Sequence, residues 1–125
     1  MKIIFSDKAP AAIGPYAHAV EAGNFLYLSG QLPVNPDSGK IDAEDIVGQA
    51  EQVFANIEAV LAEAGYSKNN VVKSTVFMTD MANFAEVNKV YAEFYDPHKP
   101  ARSAFAVKEL PMKALVEIET IAFKG

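Results

Sequence analysis

Between Ile46 and Ala64 the apolar residues Ile46, Val47, Ala50, Val53, Phe54, Ile57, Val60, Leu61 and Ala64 recur at steps of three and four, the repeat of one buried helix face. A stripe of that length is stable only against a second apolar surface, which the rest of the chain must supply. Asp42, with Asp45 three residues on, offers an N-cap and early negative charge, and Gly65 sits where a left-handed C-terminal residue belongs. The spacing predicts a helix over 43–64.

The partner surface reads as a sheet. Lys2 to Phe5, Ala17 to Glu21 and Phe25 to Leu28 are short extended pieces, the last two joined by the turn signal Ala22-Gly23-Asn24, so a hairpin over 17–29 is expected. Pro33, Pro36 and Gly39 make 30–41 an ordered loop. Val71 to Met78 is a β-branched run ending at Thr79-Asp80, which can cap a second helix carrying Phe84, Val87, Val90, Tyr91 and Phe94 on one face. Those aromatic side chains read as core, and Asp96-Pro97 stops the helix. Ser103 to Lys108 and Leu115 to Phe123 are two further strands, expected to form a hairpin closing near Pro111 and Met112. The order is β-β-β-α-β-α-β-β. Its class is α+β, a mixed sheet with two helices packed on one face. With 125 residues, half of them hydrophobic, the chain fits one domain spanning 1–125.

Several chemistries are closed to this composition. There is no cysteine, which removes disulfides, thiolate metal sites and cysteine nucleophiles together. His18 lies in a strand without a Ser or Asp partner nearby, and His98 sits between prolines, so neither reads as catalytic. The formal net charge is −5 and the eleven Lys and Arg are dispersed, which argues against nucleic acid as the main partner. No segment approaches the roughly 18 consecutive apolar residues of a membrane span, and Asp7 interrupts the N-terminus before a secretory apolar region forms, so a cytoplasmic location is expected.

Two features remain. Arg102 opens the otherwise apolar run Ser103-Ala104-Phe105-Ala106-Val107, where a guanidinium flanked by small residues offers a carboxylate two parallel hydrogen bonds; the alternative is an edge arginine in a structural ion pair. The last strand alternates, with Val116, Ile118, Thr120 and Ala122 on one face and Leu115, Glu117, Glu119, Ile121 and Phe123 on the other. Glutamates sharing a face with large apolar residues point to a covered surface, such as one against another subunit; the alternative is that they lie at a polar rim. The expected hairpin sets Arg102 and Ala104 opposite Glu117 to Ile121, in one pocket.

Pro100-Ala101-Arg102-Ser103-Ala104-Phe105-Ala106-Val107-Lys108-Glu109-Leu110, followed by Val116-Glu117-Ile118, resembles the signature of the RidA (YjgF) family. Ala12 to Val20, Leu28 to Pro36, Gln49 to Ala64 and Phe84 to Tyr91 resemble family segments in family order. The resemblance implies a chorismate-mutase-like (YjgF-type) fold assembled as a homotrimer with ligand clefts between subunits. It implies hydrolysis of 2-iminobutanoate and 2-iminopropanoate, and of their enamine forms from pyridoxal-phosphate-dependent Ser/Thr dehydratases, to 2-keto acids and ammonia, with no metal or organic cofactor. By position it gives Arg102 the substrate carboxylate and Glu117 the attacking water, with Tyr16, Ser29, Gly30, Asn88 and the main chain at Ala104 lining the pocket. Ala104 departs from the family, which often has cysteine there, so a thiol-dependent step is closed to this chain. Competing readings are a non-catalytic binder of small carboxylates such as 2-keto acids, and an RNA-cleaving inhibitor of translation, which the acidic charge disfavours.

Overall fold

A computed structural model describes residues 1–125. The strands are β1 (Lys2–Ile4), β2 (Ala19–Ala22), β3 (Phe25–Gln31), β4 (Val71–Met78), β5 (Ala101–Ala106) and β6 (Val116–Phe123); the helices are α1 (Ile46–Glu63) and α2 (Phe84–Tyr95). They form one six-stranded sheet in the order β1-β2-β3-β6-β4-β5. All neighbours are antiparallel except β4 and β5, which run parallel because α2 carries the chain from one to the other.

The predicted element order and the two-helix, mixed-sheet class hold. The apolar stripe of α1 is buried through Ile46, Ala50, Val53, Phe54, Ile57, Val60 and Leu61, and it packs on β3, β6 and α2. From β6, Val116, Ile118, Thr120 and Ala122 enter the same core, as the alternation predicts. Both helices cover this face of the sheet. The opposite face is bare within the chain and carries Phe25, Tyr27, Phe105 and Phe123 exposed.

The boundaries shift for local reasons. The cap of α1 is Asp45, whose carboxylate accepts from the Gly48 N–H at 3.3 Å, so the helix begins at Ile46 rather than 43. Asp42 instead accepts from Asn35 Nδ2 and from the Ser38 hydroxyl, tying off the 35–42 loop. Asp80 caps a single 3₁₀ turn, Met81–Asn83, that precedes α2. Strand β2 starts at Ala19, leaving His18 just outside it, and β5 starts at Ala101, which places Arg102 inside the strand.

One expectation is overturned. The last two strands do not form a hairpin, because β4 lies between them. Ser74 pairs with Arg102 and Val76 with Ala104 on one side of β4, while Phe77 pairs with Glu117 on the other. Neighbouring residues across a ladder point to the same face. Ser74 and Val76 are buried under the helices, so Arg102 and Ala104 share the covered face while Glu117 projects from the bare one. Arg102 and Glu117 therefore do not share a pocket within one chain.

Candidate functional site

The sequence-predicted residues separate into two groups. Tyr16, Ser29, Gly30 and Glu117 line one cavity of about 630 Å³, whose walls include Ile13, Leu32, Val34 and Met112. Arg102 borders a second cleft of about 350 Å³ at the C-terminal end of α2.

In the first group, Glu117 leans against Gly30. A Cβ on residue 30 would lie 2.7 Å from Glu117 Oε2, so only glycine leaves the carboxylate its place. Burial pushes the Glu117 carboxyl above its ordinary value, and the neighbouring Glu119 charge adds to the shift. A carboxyl so placed has increased affinity for a proton while keeping access to the cavity. Around it the walls are tied by hydrogen bonds. The Ser29 hydroxyl donates to the Ala17 carbonyl at 2.7 Å, and the Ser29 N–H donates to the His18 carbonyl at 3.0 Å. His18 Nδ1 accepts from the Ser6 N–H at 2.9 Å, which leaves Nε2–H to donate to the Pro10 carbonyl at 2.7 Å. Both ring nitrogens are occupied, so His18 pins the N-terminal segment to the cavity wall. His98 likewise donates from Nε2 to the Val71 carbonyl at 2.6 Å.

In the second group, the Arg102 Nη1–H donates to Asn88 Oδ1 at 2.6 Å, and the guanidinium carbon lies 4.8 Å from the ring centre of Tyr91 and 5.3 Å from that of Phe84. The partner is a neutral amide, not the carboxylate of a structural ion pair. An arginine held this way keeps its charge and most of its N–H donors for a ligand. Asn88 thus acts on Arg102 directly. Ala104 packs on the core beneath, and β5 is an edge strand, so alternate main-chain groups beside it face outward.

Two site-supporting residues escaped the sequence reading. On the buried face of α1, Asn56 Nδ2 donates to the Leu32 and Val34 carbonyls at 2.9 Å each, fixing the cavity wall. Gln49 Oε1 accepts from the Leu115 N–H at 2.8 Å while its Nε2 donates to the Ala43 carbonyl at 3.0 Å, setting the entry into β6 two residues before Glu117. The available signal was two amides seven residues apart in an apolar stripe, since buried amides are retained where backbone groups need partners. Met112 was also missed as a wall residue. It and Lys113 both adopt φ 58°, the left-handed region, in the turn that brings Met112 over the cavity.

No three His, Cys, Asp or Glu side chains converge as a metal site, and no helix is long and apolar enough to cross a membrane.

The family model described as Endoribonuclease L-PSP matches residues 6–124. A RutC family protein of Pyrococcus horikoshii is 50% identical over 123 residues, covering 98% of each chain. Reactive Intermediate Deaminase A, chloroplastic, of Arabidopsis thaliana is 41% identical, over 97% of this chain and 65% of that one. Among solved structures, RidA from a Psychrobacter species superposes with a TM-score of 0.96 at 44% identity, covering 99% of this chain and 100% of that one. TdcF of E. coli, solved with bound serine, gives 0.95 at 42% identity over 100% of both chains. Sequence and fold agree over nearly the whole length, and the chain belongs to the YjgF/RidA family of L-PSP-type proteins.

Proposed function

We propose that this protein is a 2-iminobutanoate/2-iminopropanoate deaminase whose site is completed between copies of the chain in a homotrimer. The observation that carries the reading is the pair of half-sites: an arginine with an uncompensated charge on one face of the sheet, and a half-buried carboxyl with raised proton affinity on the other. Neither suffices alone. The exposed aromatic residues of the bare face supply the apolar surface that a second copy would cover, setting its Arg102 edge against the Glu117 cavity of its neighbour. TdcF, a relative of the same fold, holds serine, a small amino acid with the carboxylate that Arg102 would bind here.

The chemistry needs little machinery, because a protonated imine is already a strong electrophile. Arg102 takes the substrate carboxylate in a bidentate pair and so sets the C=N carbon against a water at Glu117, an orientation effect. As the water oxygen bonds to that carbon and the C=N π pair moves onto nitrogen, Glu117 accepts one water proton and returns it to the amine; the carbinolamine hydroxyl then gives its remaining proton to Glu117 as the C=O forms, the C–N bond breaks and ammonia leaves. Pyruvate or 2-ketobutyrate remains. Enamine enters the sequence only after protonation at carbon. Tyr16, Ser29, Gly30 and the main chain at Ala104 wall the cleft, and Asn88 orients Arg102.

A coupled assay tests this, with threonine dehydratase generating 2-iminobutanoate and semicarbazide trapping what survives. The expected result is reduced trapping in the presence of the protein. Unchanged trapping, with a 2-keto acid still bound, would favour the binding reading instead. The composite site has its own test. Arg102→Ala and Glu117→Gln subunits, each strongly impaired alone, should regain activity when co-expressed, since random mixing in a trimer restores roughly a quarter of the clefts. A site confined to one chain would give no recovery.

Gly30→Ala is expected to lower turnover by up to about 10²-fold, because a Cβ at 2.7 Å displaces the Glu117 carboxylate. Its melting temperature should change little, because the far end of a flexible side chain absorbs the clash. Steady-state kinetics beside thermal unfolding separates the two effects.

A further inference from the structure

Arg102 carries a long, rotamer-rich side chain on an edge strand, and such a group binds a carboxylate well only if something fixes its plane before the ligand arrives. Phe84, Asn88 and Tyr91 occur at i, i+4 and i+7 of α2, one face of the helix, and all three meet the guanidinium. Tyr91 differs from the other two in being buried, with its ring held from behind by Phe54 at 5.7 Å and by the fully buried Tyr95 at 4.8 Å between ring centres. The line of contacts from Tyr95 through the tilted Tyr91 ring to Arg102 therefore connects the core to the outer edge of the site. Arg102 meets the ring of Tyr91 and makes its side-chain hydrogen bond to Asn88 instead, so the ring rather than the hydroxyl is the working part.

We propose that Tyr91 is a positioning residue, a core-anchored aromatic platform that fixes the plane of the Arg102 guanidinium for carboxylate binding. The consequence for substrate rests on the reading of Arg102 as the carboxylate anchor; the platform itself does not.

Two measurements test the proposal. The first is the Arg102 side-chain N–H signal in nuclear magnetic resonance, which the Tyr91 ring current should displace. The displacement is expected to persist in Tyr91→Phe and to fall in Tyr91→Leu to what the more distant Phe84 ring alone produces. The second is kinetic: Tyr91→Leu should raise KM for 2-iminobutanoate about tenfold with a smaller change in kcat, and Tyr91→Phe should restore it. Should Tyr91→Leu fail to fold, phenylalanine and its fluorinated analogues at position 91 preserve ring shape while weakening the π face. Under the proposal KM then rises with fluorine count. An Arg102 signal unmoved by loss of the ring, or a KM indifferent to fluorination, overturns the platform. A ring-dependent Arg102 signal in a protein that leaves semicarbazide trapping unchanged would sink the deaminase reading and leave the platform standing.

Discussion

Arg102→Ala is expected to lower kcat/KM for 2-iminobutanoate by roughly 30-fold to several-thousand-fold, corresponding to the 2–5 kcal/mol that truncating one partner of a hydrogen-bonded charge pair costs. The loss should fall on both KM and kcat, since the same contact binds the substrate and aligns its C=N carbon. Arg102→Lys restores the charge but not the planar fork, so a deficit of about tenfold or more should remain. The fold should be nearly indifferent. Arg102 is exposed and its only side-chain hydrogen bond is the exposed one to Asn88, so thermal unfolding should register a loss of about 1 kcal/mol at most. Semicarbazide trapping reads the activity, and a fully active Arg102→Ala would remove the carboxylate anchor from the mechanism.

Glu117→Gln is expected to lower kcat by about 10²- to 10⁴-fold with little change in KM, as a general base that does not grip the substrate should. The wild-type pH profile carries the same assignment. The carboxylate form accepts the proton from water, and burial followed by the Glu119 charge raises its affinity for a proton, so the acid limb should lie above the ordinary carboxylate range. Glu119→Gln removes the like charge and should move that limb toward lower pH. Stability follows with the opposite sign from activity. Because the folded chain binds this proton more tightly than the unfolded chain, the group's stabilising contribution is present at low pH and is lost as pH rises through the raised folded value. At neutral pH the ionised, half-buried Glu117 opposes folding, so Glu117→Gln should melt slightly higher than wild type, and the difference should vanish below the ordinary carboxylate range. A variant that loses activity while gaining stability in this pH-dependent way identifies a charge kept for chemistry. Equal melting temperatures across the pH range would mean that Glu117 is a solvated rim carboxylate.

The legible part of this fold follows from one-sided burial. Helix α1 and strand β6 each bury a single face, and the 3.6- and 2-residue repeats survive in the sequence because burying a polar group costs free energy, so buried positions are mostly apolar. The hairpin expected between the last two strands failed for a reason of the same generality. Strands adjacent in sequence usually pair, but the β4-α2-β5 crossover places β5 beside β4, and β4 then pairs with β6 on its other edge. Nothing in the residues of β5 states which strand will be its neighbour, since a ladder is made by backbone groups common to all residues. Gln49 and Asn56 stayed hidden for a related reason. Their partners are the main-chain groups of Leu115, Ala43, Leu32 and Val34, which carry no mark in the sequence.

By itself, then, the sequence determined the helices, the buried face of β6, the absence of thiol chemistry and the resemblance that singled out Arg102 and Glu117, because each is a property of residue identity and local spacing. Tertiary structure alone decided that those two residues stand on opposite faces of the sheet, that Asn88 and the Tyr91 ring hold Arg102, and that Gly30 makes room for the Glu117 carboxylate. These are long-range facts set by strand order and register, where a change of neighbour or a one-residue slip sends a side chain to a different face.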